Sequence, residues 1–600
     1  MDKEDAGKIY LNFAETYYLQ AGKEEKRLLL LSLFRFLTFF GGIVLVWAGF
    51  HFAVYAGIAA FSAVALTFLF LLKSYSFHTS RKEYYNNLTT INKNEYKALY
   101  GDISMFGDGS SFSDTSHDFS YDIDLFGPSS LFQYLNRTST GYGSEVLARW
   151  LEDPYPLTCL LRERQNTVRE MAGKLEWRQK FLAHGMNGRL ERSHISGLVS
   201  WLNRRPPADK VIYKKSFLRI FPSLTIITLI LSISGFLGYY FFVSFFLLDL
   251  FITFYHLKKT SAVHEELSGR YGFLSSFGNL LLLLDNESFE SKEINRMKDS
   301  IGIEGSSAVG ALKELGNIIM AFDSRLNILA GFLLNGLLLW DLQCIHRLES
   351  WKMNYSPHFP GWLEMLGKTD AFITLGNYAY NNPEYIYPGL SEKDKLFYAS
   401  QLGHQLIDKG KRICNDFEIT GRGKICIITG ANMAGKSTFL RTVAINYILA
   451  MTGAPVCARE MSFSPVRLFT SMRTTDSLAS NESYFYAELK RLRILKRKIS
   501  AEEDLFFILD EILKGTNSED KSQGSRLFID MVIKLGGMGM IATHDTSLGD
   551  LGKEYPDKII NKCIEVEIDG EKIIFDYKLR DGVASKKNAV ILMRQMGILG

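Results

Sequence analysis

Lys424-Ile425-Cys426-Ile427-Ile428-Thr429-Gly430-Ala431-Asn432-Met433-Ala434-Gly435-Lys436-Ser437-Thr438-Phe439-Leu440-Arg441 changes character twice within eighteen residues. A short β-rich apolar run gives way to a glycine-flanked loop, and the loop to a helix-like stretch. The loop fits Gly-x-x-x-x-Gly-Lys-Ser in the strand–loop–helix context that pattern requires. Its glycines let the backbone wrap closely, so successive N–H groups point at one anion. The following helix N-terminus adds partial positive charge. The phosphate-binding set is therefore Gly430, Ala431, Asn432, Met433, Ala434, Gly435, Lys436, Ser437 and Thr438. Lys436 places an ammonium at the β- and γ-phosphates, and the Ser437 hydroxyl is a hard oxygen ligand for Mg²⁺.

Working outward, Leu505-Phe506-Phe507-Ile508-Leu509 reads as a buried strand ending in Asp510-Glu511. Central parallel strands are apolar on both faces, and ligands meet such sheets at the strands' C-terminal ends. Asp510 is the expected metal carboxylate and Glu511 the general base for an attacking water. Met540-Ile541-Ala542-Thr543 is a third apolar strand, ending in His544, which is placed to sense a γ-phosphate. Alternating strand and helix signals from Lys424 onward predict an α/β nucleotide-binding domain of the P-loop NTPase type.

The rest of the chain is different. Phe36 to Leu72 contains no Asp, Glu, Lys or Arg, nearly enough for two spans of ~20 residues with Leu28 to Phe34 supplying the remainder. Lys23, Lys26, Arg27 and Arg35 precede this stretch, and Lys73, Arg81 and Lys82 follow it. The positive-inside rule makes it a helical hairpin with both ends in the cytoplasm, turning near Gly49, His51 and Gly57. Ile220 to Leu248 is also uncharged and continues past Asp249 to Leu257, between Lys214, Lys215, Arg219 and Lys258, Lys259. This predicts a second hairpin turning near Gly235 or Gly238, and four spans in all. Asp249 is costly in lipid; it marks either a polar pathway or a face turned to a partner helix. Leu326 to Trp340, only 15 residues, reads as a buried helix. The opening MDKEDAGK is mixed in charge and reads as no signal peptide.

Composition sets further bounds. With 47% apolar residues, 13% aromatics and 13 prolines the chain is not disordered. The charge balance of 69 basic to 65 acidic residues gives no bulk electrostatic case for nucleic acid. Six cysteines (159, 344, 414, 426, 457, 563) include no Cys-x-x-Cys pair, so no zinc site is expected and the compartment reads as reducing. The expected organisation is a cytoplasmic helix (1–27), a first transmembrane hairpin (28–73), a polar helix and Gly/Ser/Asp-rich linker (74–120), a helical domain in two parts (121–213 and 259–385) around a second hairpin (214–258), and the α/β domain (386–600). Localisation is expected in a membrane of the bacterial inner-membrane type, with both termini and the α/β domain cytoplasmic.

Ile428-Thr429-Gly430-Ala431-Asn432-Met433-Ala434-Gly435-Lys436-Ser437-Thr438 resembles the MutS family of DNA mismatch-repair ATPases more specifically than a generic phosphate loop. Asp510-Glu511-Ile512, Lys514-Gly515-Thr516-Asn517-Ser518 and Ala542-Thr543-His544 resemble the family's later motifs. Residues 129–170 are similar to its helical core. The resemblance implies ATP and Mg²⁺ as cofactors, with Lys436, Glu511 and His544 in catalytic roles and Ser437 and Asp510 on the metal. It implies that Ser483, after Asp476-Ser477-Leu478-Ala479-Ser480, acts in trans at a composite site in a homodimer; Asn481-Glu482 and Tyr484 depart from the family there. It implies that Asn415 approaches the adenine and Tyr577 stacks on it. Against the family's pattern, the chain is expected to lack the mismatch-reading domain, the DNA-clamp insertion and the terminal dimerisation helices. The expected fold is thus an ABC/MutS-type P-loop domain plus an all-α core and lever domain, with two transmembrane hairpins. DNA is a possible partner by resemblance. The alternative function is an ABC-type ATPase driving membrane transport, remodelling or a protein scaffold without DNA.

Overall fold

The computed structural model describes residues 3–154, 158–187, 192–204, 215–300, 307–391, 395–421, 423–431, 433–473, 484–501, 504–515, 517–569 and 572–585. It is a mixed α/β structure, with a helical N-terminal region and sheets towards the C-terminus.

Helices α1 (Lys3–Phe52) and α2 (Val54–Leu99) form an antiparallel hairpin broken at Ala53, whose φ of −167° and ψ of 149° are extended. The tip is tight. A Cβ on Gly49 would lie 3.0 Å from the Gly57 Cα, so the two glycines let the backbones close. Neither helix breaks at residues 27/28 or 73/74, where the sequence suggested domain boundaries. Fifty residues span about 75 Å, far more than the ~30 Å of a bilayer core. The surplus docks on the helical region: the Tyr10 hydroxyl donates to Asn381 (2.8 Å), and buried Glu95 pairs with Arg137 (2.5 Å).

The helical region continues as α3 (Leu131–Leu135), α4 (Gly141–Glu152), α5 (Thr158–Gly173), α6 (Leu175–Asn187) and α7 (Arg192–Asn203). A second hairpin follows, α8 (Lys215–Ile233) and α9 (Tyr239–Leu267), turning through Gly235 at φ 78°. Then come α10 (Tyr271–Asn286), α11 (Lys292–Ser300), α12 (Ala308–Asp323), α13 (Ile328–Leu338), α14 (Trp340–Tyr355) and α15 (Phe359–Asn381). Helix α15 is buried along most of its length and ties the region together. Its Asp370 accepts hydrogen bonds from the Ser139 and Thr140 N–H groups and the Thr140 hydroxyl, and Thr140 in turn caps α4.

Two sequence expectations need correction. The stretch Leu326 to Trp340 is not a buried helix: in α13 only Gly331, Asn335 and Gly336 are buried, while Ile328 is 86% and Leu329 74% exposed. Length and hydropathy alone cannot tell an apolar helix packed in protein from one presenting its side chains outward. Helix α13 bends 112° from α12 and lies against α8 and α9, where Gly336 meets the Phe246 ring. Helices α1, α2, α8 and α9 are long and apolar enough to cross a membrane. The second correction concerns residues 121–130, which are not helical. Together with the preceding loop they form a packed strap. Phe119, Ile123 and Leu125 enter the core, and Asp-x-Ser turns at Asp102, Asp108 and Asp114 fold the polar residues.

The C-terminal part holds β1 (Gly389–Leu390), β2 (Lys395–Leu402), β3 (Asn415–Thr420), β4 (Ile425–Gly430), α16 (Lys436–Met451), β5 (Glu460–Phe463), β6 (Arg467–Ser471), α17 (Tyr484–Ser500), β7 (Leu505–Asp510), α18 (Ser518–Lys534), β8 (Met538–Thr543), α19 (Leu551–Glu554), β9 (Ile559–Ile564), β10 (Glu567–Asp569), β11 (Lys572–Ile574) and β12 (Leu579–Asp581). The main sheet runs β12-β9-β4-β8-β7-β6, parallel except for β12. Its central strands β4 and β8 are buried at every residue, as double-sided coverage demands. A smaller sheet, β1-β5-β2-β3, flanks it.

Candidate phosphate-binding site

Strand register assembles the site. Ile428 of β4 lies beside Ala542 of β8, and Ala542 beside Asp510 of β7. The residues that follow each strand therefore leave the sheet at one level: Gly430 into the loop, Glu511 after β7, His544 after β8. Helix α16 begins directly after Gly435, which sits at φ 97°. That left-handed backbone favours glycine, and a side chain here would also strike the Tyr577 ring, 2.8 Å from a Cβ.

The Lys436 ammonium donates to the carbonyls of Gly430 (2.7 Å) and Ala431 (2.8 Å), folding back over its own loop. Burial pulls it below the usual lysine range, while Glu511 and Asp510 hold it up. The Ser437 hydroxyl donates to Asp510 Oδ2 at 2.5 Å. Glu511 Oε1 lies 3.3 Å from His544 Nδ1, and Lys521 Nζ 3.5 Å from that ring. Glu511 takes φ 50° and Leu513 φ 61°, so the loop after β7 turns sharply through non-glycine residues. Glu488 of α17 holds this turn: its buried carboxylate accepts from the Leu513 N–H and from the Lys514 N–H (3.0 Å). Sequence reading missed Glu488, because an acid within an amphipathic helix carries no local signal.

A cleft of about 410 Å³ opens here, lined by Lys436, Ser437, Thr438, Glu511, Asn415 and Tyr577 among others. Ala431, Met433 and Gly435 line it too, and Met433 is exposed at φ 68°. Ala434 is buried beneath the loop. Asn415 is held differently from the sequence expectation: its amide donates to the Tyr577 carbonyl (3.0 Å) and accepts from the Leu579 N–H (2.9 Å). It fixes the segment that carries Tyr577. His404 also lines the cleft; burial, with Arg412 and Arg441 nearby, pushes its imidazole down to about 4. Asn432 and Ser483 lie outside the described residues.

The strap joins this domain to the helical region. Asp122 accepts from Thr470 Oγ1 (2.6 Å) and the Arg473 N–H (2.8 Å). Arg441 of α16 donates to the Asp122 carbonyl (3.2 Å), and Arg491 of α17 to the Asp118 carbonyl (2.6 Å). Helix α16, which starts at the end of the Gly430–Gly435 loop, is thereby bonded to the chain that continues from α2.

Residues 426–598 match the family model described as MutS domain V. The chain is similar to the DNA mismatch repair protein MutS of Thermotoga petrophila, with 32% identity over 243 residues, 39% of this chain and 29% of that protein. The MutS protein of Thermotoga maritima is 34% identical over 241 residues, again 39% of this chain and 29% of the relative. That of Acetivibrio thermocellus is 31% identical over 239 residues, covering 39% and 27%. The chain thus spans under a third of the length of these relatives. The similarity to MutS proteins lies in the C-terminal part of the chain, which carries the Gly430–Gly435 loop and the strand ends described above.

Proposed function

We propose that the chain is a membrane-anchored, MutS-like ATPase, an α/β P-loop NTPase domain coupled to an all-α lever region and two transmembrane hairpins. The observation that carries the reading is that strand register brings Lys436, Ser437 and Glu511 to one cleft, with Asp510 bonded to Ser437 and His544 3.3 Å from Glu511. The donor set suits the ligands: a buried ammonium now bonded to loop carbonyls is placed to exchange them for phosphate oxygens, and a hydroxyl beside a carboxylate offers the hard oxygens Mg²⁺ prefers. Ser437 and Asp510 would hold the Mg²⁺, which would neutralise charge on the transferred phosphoryl group. Glu511 accepts the proton of the attacking water, and His544, beside it, reports the γ-phosphate. Tyr577, half-exposed over Gly435, offers a ring face to the base. Ser483 acts from a second copy across a homodimer. The apolar outer faces of α1, α2, α8 and α9 support four spans in a bacterial inner-membrane type bilayer, with the ATPase domain and both termini cytoplasmic.

By family, the ligand of the lever region is DNA of the kind handled in mismatch repair. A second reading, an ABC-type ATPase working on the membrane without DNA, is favoured by the unbroken run of α1 and α2 from their apolar tips to the core. Lys436→Ala is expected to lower ATP turnover by about 10²–10³-fold, as loss of a transition-state charge contact does, and Glu511→Gln to retain ATP without hydrolysing it. Undiminished turnover in either variant rejects the assignment. ATP-modulated, salt-sensitive DNA binding by the full chain selects the first reading, and its absence selects the second.

A further inference from the structure

The second hairpin is built inside out. Its exposed side chains are apolar: Ile227, Ile230 and Ile233 on α8, and Phe241, Leu247, Phe251 and Phe254 on α9. Its buried side chains are mostly polar. On α8 they are Thr225, Thr228 and Ser232, with Leu218 and Pro222; on α9 they are Asp249, Thr253, His256, Thr260 and His264, with Leu267. The α9 set recurs at steps of four, three, four and four residues, one continuous helix face. Thr225 Oγ1 donates to Asp249 Oδ2 (2.7 Å) and joins the two rows.

Because the helices are antiparallel, the rows extend in opposite directions from that bond. Ser232 to Thr225 covers about 10 Å and Asp249 to His264 about 22 Å at 1.5 Å per residue, so the row runs from the hairpin turn to beyond Lys258 and Lys259, the basic flank of the apolar stretch. One end lies at the hairpin turn, where Ser232 Oγ donates to the Gly238 carbonyl (3.4 Å). At the other, His264 Nε2 meets Asp323 Oδ1 (2.8 Å), whose side chain is partly exposed. Asp249 is fully buried, yet its Oδ1 has no partner among the described residues. A simple helix-packing contact does not leave a carboxylate oxygen orphaned in an apolar bundle. Among the described residues, charged groups at the far end of the row are Asp323 at the end of α12, Arg325 in the turn that follows and Asp341 of α14, which pairs with Arg325 at 3.3 Å. Helix α13 contributes no titratable residue.

Resting on the membrane reading above, we propose that this buried polar row is a proton pathway across the bilayer, with Asp249 as its central acceptor and His256 and His264 as carriers towards the Asp323 end. Each transfer moves one proton from an N–H or O–H donor to a lone pair. Asp249 alternates between carboxylate and carboxylic acid, and no other bond changes. Protons fit the row better than metal ions. Two imidazoles in line pass protons but do not ligate alkali cations, and no group of three His, Cys, Asp or Glu able to hold a metal occurs among the described residues.

The test reconstitutes the full chain into phosphatidylcholine vesicles enclosing a pH-sensitive dye and applies a valinomycin-set potassium potential. Internal pH is expected to change at least fivefold faster than in protein-free vesicles. Asp249→Asn should return the rate to the protein-free level, and Asp249→Glu should restore most of the flux. His256→Leu should slow it severalfold, and the lipid-facing control Phe251→Leu should leave it unchanged. Flotation of each variant with the vesicles separates the two claims. A chain that floats but conducts no protons, or an Asp249→Asn variant that conducts like wild type, overturns the pathway alone. A chain that does not float overturns the membrane reading and the pathway together.

Discussion

The main sheet and the second hairpin bury opposite things. In the sheet, β4, β7 and β8 are sealed with Ile, Leu, Phe and Met, and polar chemistry is confined to the strand ends, where solvent and ligand reach it. In α8 and α9 the apolar side chains face outward and the carboxylate, imidazoles and hydroxyls face inward. The first arrangement is driven by removing apolar surface from water. The second has no such drive if the surroundings are themselves apolar, so packing and interior polar contacts hold it. On the membrane reading proposed above, one chain answers to two solvents, and the contrast is testable.

The largest expected effect comes from placing one charge in each region. Leu247 on α9 and Leu527 on α18 are comparably exposed, at 56% and 61%. In water an exposed Leu→Arg change stays within about 0.5 kcal/mol, whereas at a lipid-facing helix centre arginine costs about 2.5–3.5 kcal/mol. Leu247→Arg should sharply reduce the membrane-integrated fraction on flotation, and Leu527→Arg should leave unfolding and integration alone. Equal behaviour of the two variants would erase the contrast.

The strap sharpens the comparison with a buried carboxylate of the other kind. Asp122 is as inaccessible as Asp249, but both of its oxygens are bonded, to Arg473 and Thr470. It is a joint between the helical region and the sheet. Asp122→Ala leaves a buried hydroxyl and an N–H unsatisfied and should cost about 1–3 kcal/mol, read as a lower unfolding midpoint with nucleotide affinity retained. Asp122→Asn should recover part of the loss, since it keeps an acceptor oxygen.

What the sequence disclosed follows the same division. Strand ends were legible because an apolar run followed by Asp510-Glu511 or by His544 announces both the strand and its terminus. The charge-free stretches were legible as long apolar helices because an uncharged run of that length has few other uses. The stretch Leu326 to Trp340 was misread because fifteen mostly apolar residues satisfy a protein interior and an apolar exterior equally well. The strap looked like a linker because Gly, Ser and Asp dominate residues 101–120, although Phe119, Ile123 and Leu125 anchor it. Glu488 and the holding role of Asn415 depend on contacts between residues 25 and 162 or more positions apart, which no local pattern encodes.

The smallest effect probes the edge of the apolar sheet domain. His404 lines the cleft with its imidazole pushed down to about 4 by burial and by the Arg412 and Arg441 charges. Below its unfolded value of about 6.5 the unfolded chain gains a proton that the folded chain refuses. Stability from this group is therefore complete above pH 6.5 and is lost as pH falls towards 4. Between pH 6.5 and 5.5 the loss is about 1 kcal/mol. His404→Gln should flatten that part of the pH–stability curve, measured by thermal unfolding, and parallel curves for the two proteins would show that the ring is solvated. A neutral His404 also means that at neutral pH the cleft's positive charge comes from Lys436 and Lys411 rather than from an imidazolium. His404 therefore adds no change of its own to the cleft's charge between pH 8 and 6.5.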